Sequence, residues 1–408
     1  MAKDKRLIAI LLFIDFRKAF DLVDSKLLLL KLFHYGFDNN ALALIKNYFE
    51  SRQQQVKYRG ISSSFADIKL GVPQGSVLGP LFFLIFINDL PFLLELLCKL
   101  FADDTTLYLM GDNVTTLINK FKEYLKPMLD WCKFNKLDIN WDKTFFMFVT
   151  NKRVGKQIPN EISIENCQVK VVDNFKLLGV TIDNKLNFDK YSRDLRLSVN
   201  KKLYSIKRLF YLCTSVKIQF FKTFVLPYFD YCLSLLIYFP KSTIQRINNC
   251  FNLCLFKLFN FKKSSDENIE DFNENLSNYG LFSFQHRVMI KIFNFAHSMI
   301  NNLNSPVDLQ QVFKQETYLK SKARSASLIL PVIKTHFGEK TFQFFFIKLF
   351  NNFGKKDFFS NYELYISSIN RNLKSIFIKF VNIFPIFNVF YKNLDYLDKK
   401  SKNSQNTK

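Results

Sequence analysis

The chain has 408 residues, 48% hydrophobic and 23% charged, enough to bury a core in each of two or three domains, which excludes general disorder. Lysine and arginine total 58 against 35 acids, a net charge of +23 that points to a polyanion, either nucleic acid or an anionic membrane surface. The 7 cysteines are scattered, with only Cys250 and Cys254 closely spaced, which argues against a disulfide framework or a zinc site and for reduced, buried thiols.

Leu7–Ile14 is an unbroken apolar run ending at Asp15 and fits a buried central strand. Lys3, Lys5 and Arg6 before it imitate a signal peptide, but no small-residue cleavage site follows. Asp24 or Ser25 can N-cap a leucine-rich helix that ends near Gly36. Ala41–Glu50 reads as a short helix, and Gln54–Tyr58 and Phe65–Leu70 as paired strands around Gly60. Gly71–Ser76 is a turn-rich loop in which Ser76 can cap a long apolar helix. Leu81–Leu97 is very apolar, but Asn88, Asp89, Pro91 and Glu95 interrupt it. A membrane span needs about 20 predominantly apolar residues, so a buried helix is expected and no stable membrane association.

Cys98–Ala102 and Thr105–Met110 read as a hairpin with Asp103 and Asp104 at its tip. Leu117, Phe121, Leu125, Met128 and Cys132 recur at helical spacing, with a kink expected at Pro127. Phe145–Val149 is a strand, and Val169–Val172 and Phe175–Ile182 are expected to form a hairpin around Asp173-Asn174. Ser192–Phe239 and Ile244–Phe261 look helical, Lys262–Asn278 is polar and reads as a linker, and Tyr279–Phe380 mixes helices with a strand at Ala326–Ile333. The fold class expected is α+β, an antiparallel sheet backed by helices, followed by helical regions.

Nucleotidyl transfer by two metals needs several hard oxygen ligands around ions about 3.5–4 Å apart. Carboxylates at the ends of neighbouring strands suit this, because strands hold them rigidly. Asp15 ends one apolar strand and Asp103-Asp104 tops a hairpin, so the three converge if those elements adjoin. Adjacent strand residues face opposite sides, so only the turn can bring both hairpin aspartates to one site.

Phe13–Asp21, FIDFRKAFD, resembles the first palm motif of the reverse transcriptases of non-LTR (LINE-class) retrotransposons. Gly71–Pro80, GVPQGSVLGP, matches the family's second motif, and Phe101-Ala102-Asp103-Asp104 resembles its metal-binding box. Leu137–Thr144 and Phe175–Val180 are similar to the next motif and to the primer grip; Tyr228–Tyr231 lies in a thumb-like region, and Arg324–Phe353 is similar to the C-terminal block of such elements. Arg17 and Ser25 depart from the family's usual serine and histidine.

The resemblance implies a right-hand polymerase: residues 1–189 as palm with partial fingers, 190–261 as thumb, 262–278 as linker, 279–397 as a mostly helical C-terminal region and 398–408 as a disordered basic tail. It implies RNA-directed DNA polymerase activity on an RNA template and DNA primer, with dNTP as substrate and two Mg²⁺ ions that Mn²⁺ could replace. Metal ligation falls to Asp15, Asp103, Asp104 and the Phe16 carbonyl. Phe20 matches the gate against a ribose 2′-hydroxyl, and Gln74 and Gly75 match the loop beside the nascent base pair. Lys143 matches the lysine assisting the leaving pyrophosphate, and Leu178 and Gly179 would press on the primer. Lys201, Lys202, Lys207 and Arg208 are candidates for phosphate contacts. An intracellular and chiefly nuclear location goes with that activity. In the family a fingers subdomain precedes the first motif, whereas Met1 lies close before Asp15, so an N-terminally truncated piece is expected. The alternative function is a non-catalytic nucleic-acid-binding remnant.

Overall fold

The computed structural model describes residues 5–153, 157–207, 211–259, 276–301 and 341–353, with isolated positions beyond. The chain divides into two compact units at Phe175/Lys176, earlier than the boundary expected at residue 189.

The first unit runs β1 (Ile8–Ile14), α1 (Ser25–His34), α2 (Asn39–Phe49), four two-residue strands β2 (Gln53–Gln54), β3 (Lys57–Tyr58), β4 (Ile61–Ser62) and β5 (Ala66–Asp67), then α3 (Leu78–Ile87). It continues with β6 (Leu97–Phe101), β7 (Asp104–Gly111), α4 (Val114–Asn135), β8 (Phe145–Val149), β9 (Glu161–Ile164) and β10 (Cys167–Lys170). A four-stranded antiparallel sheet has the order β6-β7-β1-β8. Strand β1 is apolar throughout because both of its faces are covered: Ile8, Ile10, Leu12 and Ile14 join the core that α4 packs on, Phe13 of the other face stacks on Phe175, and no residue of the strand is exposed. Leu117, Phe121, Leu125, Met128 and Cys132 are all buried along α4, as their spacing predicts. The helix runs from Val114 to Asn135 with Pro127 inside it.

Helix starts follow side-chain chemistry. Asp24 Oδ1 accepts from the Lys26 and Leu27 amides at 2.9 and 3.3 Å, and Asn113 Oδ1 accepts from Thr116 at 3.1 Å. Helix α3 stops at Asn88, far short of a span, and among the described residues no helix is long and apolar enough to cross a membrane. Asp89 stops the apolar run for a structural reason. Its carboxylate accepts from Lys31 Nζ at 2.9 Å and Trp131 Nε1 at 3.2 Å, joining α1 and α4 behind α3.

Two expected hairpins need correction. Ala102 and Asp103 alone form the turn between β6 and β7, and Asp104 is already in the strand, paired with Phe101. The expected hairpin around Asp173-Asn174 does not form. Instead β9 pairs with β10, and β11 (Asn174–Leu177) pairs with β12 (Val180–Asp183) through Leu178-Gly179. Leu178 (φ 46°) and Gly179 (φ 82°) both take the left-handed backbone that a two-residue hairpin turn demands.

The second unit is helical beyond β12: α5 (Asp189–Lys207), α6 (Thr214–Phe220), a π-turn at Phe221–Val225, α7 (Leu226–Asp230), a 3-10 segment at Leu233–Tyr238 and α8 (Lys241–Phe259). Helices Phe284–Asn301 and Phe342–Phe353 follow. Phenylalanines 221, 229, 239, 251, 284 and 293 are fully buried in its core. Arg287 grips the Asp230 carboxylate with both Nε and Nη2, the first at 2.9 Å. Most of the expected linker, most of Ala326–Ile333 and the whole basic tail lie outside the described residues.

His286 is buried in this core, its Nδ1 2.9 Å from Ser283 Oγ, and burial lowers its pKa from 6.5 to about 4. The fold therefore holds the neutral ring, whereas the unfolded chain takes up a proton once pH falls below 6.5. Stability is complete above that value, falls as pH drops toward 4 and levels off below it, for a total of roughly 3 kcal/mol. Urea unfolding of the full chain at several pH values checks this: His286→Gln should flatten the loss between pH 6.5 and 4, and an unchanged slope would count against it.

Candidate active site

Asp15 leaves the end of β1 and enters a stretch tied to the turn after α4. The Asn140 amide donates to the Asp15 carbonyl and the Arg17 amide to the Asp138 carbonyl, both at 2.8 Å, in an antiparallel bridge between Phe16 and Ile139. Those two bonds flank Phe16 and leave its own carbonyl outside the pairing. The Asn140 side chain then donates to Asp15 Oδ2 at 2.9 Å, and Lys143 Nζ stands 3.9 Å from the same oxygen. Thr144 Oγ1 donates to the Asn140 carbonyl at 2.9 Å, which fixes the turn that aims Asn140. One aspartate is thus held by backbone, amide and cation together.

The register of β1 against β7 pairs Ile14 with Thr105 and, carried one step on, sets Asp15 opposite Asp104. Asp103, in the turn, is the hairpin aspartate that joins Asp15 in lining an open cleft of about 740 Å³. Phe16, Phe20, Gln74 and Lys143 line it too. Asp104 is exposed beside the cleft. Partial burial, and then the charges of Asp103 and Asp15, raise its carboxyl above the usual range, so Asp104 feels both of the other carboxylates. Among the described residues, no three His, Cys, Asp or Glu side chains are already gathered as a metal cluster.

The loop Gly71–Ser76 contributes Gln74 to the cleft. The Val72 amide donates to the Phe20 carbonyl at 2.9 Å and the Gly71 amide to Val23 at 2.8 Å. Gln74 Nε2 donates to Asp21 Oδ1 at 2.7 Å. Phe20 stacks on the buried Phe83, ring centroids 4.3 Å apart. Gly75 is exposed beside Gln74 and takes φ +82°. Ser76 Oγ accepts from the Gly79 amide at 2.9 Å, its expected capping role, although α3 itself begins at Leu78.

The remaining candidates belong to the second unit. Tyr231 Oη donates to the Leu178 carbonyl at 2.6 Å, and a Cβ on Gly179 would lie 3.2 Å from the Tyr231 ring. Lys201 and Lys202 are exposed on α5, Lys207 closes that helix, and Arg208 lies outside the described residues. Sequence reasoning assigned no role to Asn140, Asp21 or Tyr231. All three lie within stretches that carry the resemblance, but their roles depend on partners distant in sequence.

The family model described as reverse transcriptase (RNA-dependent DNA polymerase) matches residues 1–182. The RNA-directed DNA polymerase from mobile element jockey of Drosophila melanogaster is 27% identical over 247 residues, 58% of this chain and 26% of that protein. A probable RNA-directed DNA polymerase from transposon X-element of the same species is 28% identical over 245 residues, again 58% and 26%. One from transposon BS is 32% identical over 184 residues, 43% of this chain and 20% of its own length. The chain thus spans about a quarter of these relatives. Among solved structures, telomerase from Candida albicans aligns with 77% of this chain and 49% of its own at 14% identity and a TM-score of 0.33. Residues 1–182 are thus similar to reverse transcriptases, and the relatives matched here are RNA-directed DNA polymerases of mobile elements.

Proposed function

We propose that the cleft is the nucleotidyl-transfer site of an RNA-directed DNA polymerase, extending a DNA primer with dNTPs on an RNA template. The observation carrying this reading is that Asp15, from the end of β1, and Asp103, from the β6–β7 turn, line one cleft with Asp104 beside them. Carboxylates alone are a donor set for a hard divalent cation, and Mg²⁺ commonly takes only one or two of them and fills its shell with phosphate oxygens and water. The absence of a preformed cluster among the described residues fits that kind of site. Asp15, Asp103, Asp104 and the Phe16 carbonyl would hold two Mg²⁺ ions, or Mn²⁺ in their place. When bound, such ions activate a primer hydroxyl and neutralise charge on the leaving pyrophosphate.

The chain's own residues supply the rest. Asn140 orients the Asp15 carboxylate, and Lys143 brings a cation and a proton to the leaving group. Phe20, held against Phe83, forms the wall that a ribose 2′-hydroxyl would meet. Gln74, anchored on Asp21, and Gly75 face the nascent base pair. Lys201 and Lys202 meet phosphates, and Leu178-Gly179 bears on the primer backbone. Copying onto a chromosomal target would take place in the nucleus.

Primer extension on an RNA template across a Mg²⁺ titration tests the reading, with oligonucleotide binding measured in parallel. Metal-dependent extension by the wild type is the expected result. Binding without extension at any Mg²⁺ or Mn²⁺ concentration would leave a non-catalytic nucleic-acid binder instead. A separate expectation concerns the Leu178-Gly179 turn. Tyr231→Phe keeps the ring and removes one hydrogen bond, about 1 kcal/mol, so KM for the primer should rise about fivefold at nearly constant kcat. An unchanged KM would detach Tyr231 from primer positioning.

A further inference from the structure

Between α2 and Gly71 the chain runs out and back as two short hairpins in series. Gln53-Gln54 pair with Ala66-Asp67, and beyond them Lys57-Tyr58 pair with Ile61-Ser62. Every one of those strand residues is exposed. Strand alternation, and the Ser63 amide donating to the Val56 carbonyl, set Val56, Tyr58 and Ile61 on one face of the outer hairpin. They are 71%, 68% and 77% exposed, and Phe65 nearby is 66% exposed. Apolar side chains so placed cannot owe their presence to a core that they do not enter.

Charge chooses among partners. The arm carries Arg52, Lys57, Arg59 and Lys69 against a single acid, Asp67, whose Oδ1 is engaged by Gln53 at 2.8 Å. The Arg59 guanidinium stands 5.3 Å over the Tyr58 ring, so a flat cation and an aromatic face are presented together. Stacking surfaces interleaved with cations suit single-stranded nucleic acid, whose bases stack while its phosphates pair. The arm is also fastened to the cleft wall. Arg52 Nη2 donates to the Gly71 carbonyl at 2.7 Å, and the Ile68 amide donates to Arg52 at 2.8 Å. Its root is therefore the loop that carries Gln74.

We propose that residues 52–70 form a docking arm for single-stranded RNA, with Tyr58 and Phe65 stacking on bases and Lys57, Arg59 and Lys69 meeting phosphates. This rests on the polymerase reading, in which an RNA template serves the adjoining cleft.

Fluorescence anisotropy of the full chain with a labelled single-stranded RNA oligonucleotide, and with the same sequence as a blunt duplex, tests it. The double variant Tyr58→Ala, Phe65→Ala should bind the single strand on the order of tenfold to a hundredfold more weakly and the duplex nearly as before. Both side chains are exposed, and an unchanged unfolding midpoint would confirm that the variant folds. Replacing Lys57, Arg59 and Lys69 by alanine should lower the slope of log K against log salt by about 2. Single-strand binding equal to wild type in the double variant would overturn the arm and leave the polymerase reading standing. A loss of self-association in that variant, with RNA affinity retained, would make the face an interface between copies instead. Failure of the wild type to bind either nucleic acid would bring down both readings.

Discussion

Asp103→Ala is expected to lower RNA-templated primer extension on the order of a thousandfold, since a metal's stabilisation of developing charge is worth several kcal/mol. The two-residue turn fixes Asp103 tightly, with Ala102 at φ 52° and Phe101 paired to Asp104 on either side. A carboxylate placed this way cannot be replaced by a neighbour without unmaking the hairpin. Asp15→Asn should cost as much, because Asn140 already donates to Asp15 Oδ2 and an amide there would turn a charge-assisted contact into a weaker or mismatched one. Asp104→Ala should cost less, about tenfold, because Asp104 stands beside the cleft rather than lining it. Single-turnover extension with a saturating primer–template measures all three, and oligonucleotide affinity should stay within about threefold of wild type throughout. Extension that survives Asp103→Ala would sink the assigned site. Equal losses from Asp103→Ala and Asp104→Ala would mean that the two hairpin aspartates share the metal equally.

The parts legible in the sequence were those governed by short-range rules. Leu7–Ile14 fits a buried central strand by its unbroken apolar run, and the cap at Asp24 needs nothing beyond two following amides. The α4 face could be read from spacing alone. Misreadings arose where backbone geometry outvoted composition. Asp173-Asn174 has turn chemistry, yet the turn falls at Leu178-Gly179, where a leucine accepts a left-handed φ of 46° because the paired strands over-determine it. The carboxylates were legible as residues but not as a ranked set, since strand register alone decides that Asp104 is paired while Asp103 turns. Asn140 was the hardest to foresee. Its bond to Asp15 closes a loop 125 residues long, and no local pattern encodes that contact. Asp89 looked like an interruption in an apolar run, and only the fold reveals the lysine and tryptophan it serves.

Gly71→Ala is expected to destabilise the first unit by about 4 kcal/mol, the sum of a strained backbone and an unrelieved clash. At φ +83° an L residue is already disfavoured, and a Cβ there would lie 2.7 Å from the Asp21 carbonyl oxygen and 2.8 Å from its Cα. Both are backbone atoms, so no flexible side chain can swing aside. Nor can the loop easily retreat, because the Gly71 and Val72 amides hold Val23 and Phe20, and Arg52 holds the Gly71 carbonyl. Moving it would also release Gln74 from Asp21 and widen the cleft beside Phe20. For a unit of this size the thermal midpoint should fall by roughly 10 °C, read by circular dichroism of the full chain. Gly75→Ala supplies the control. Gly75 has nearly the same φ, +82°, but nothing lies within 4 Å of its Cβ position, so only the backbone cost of about 1 kcal/mol applies. Equal midpoint losses at the two positions would show that conformation alone sets the requirement for glycine. A much larger loss at Gly71 would show that this loop must lie against the chain that follows Asp15, which is what keeps Gln74 and Asp15 on the walls of one cleft.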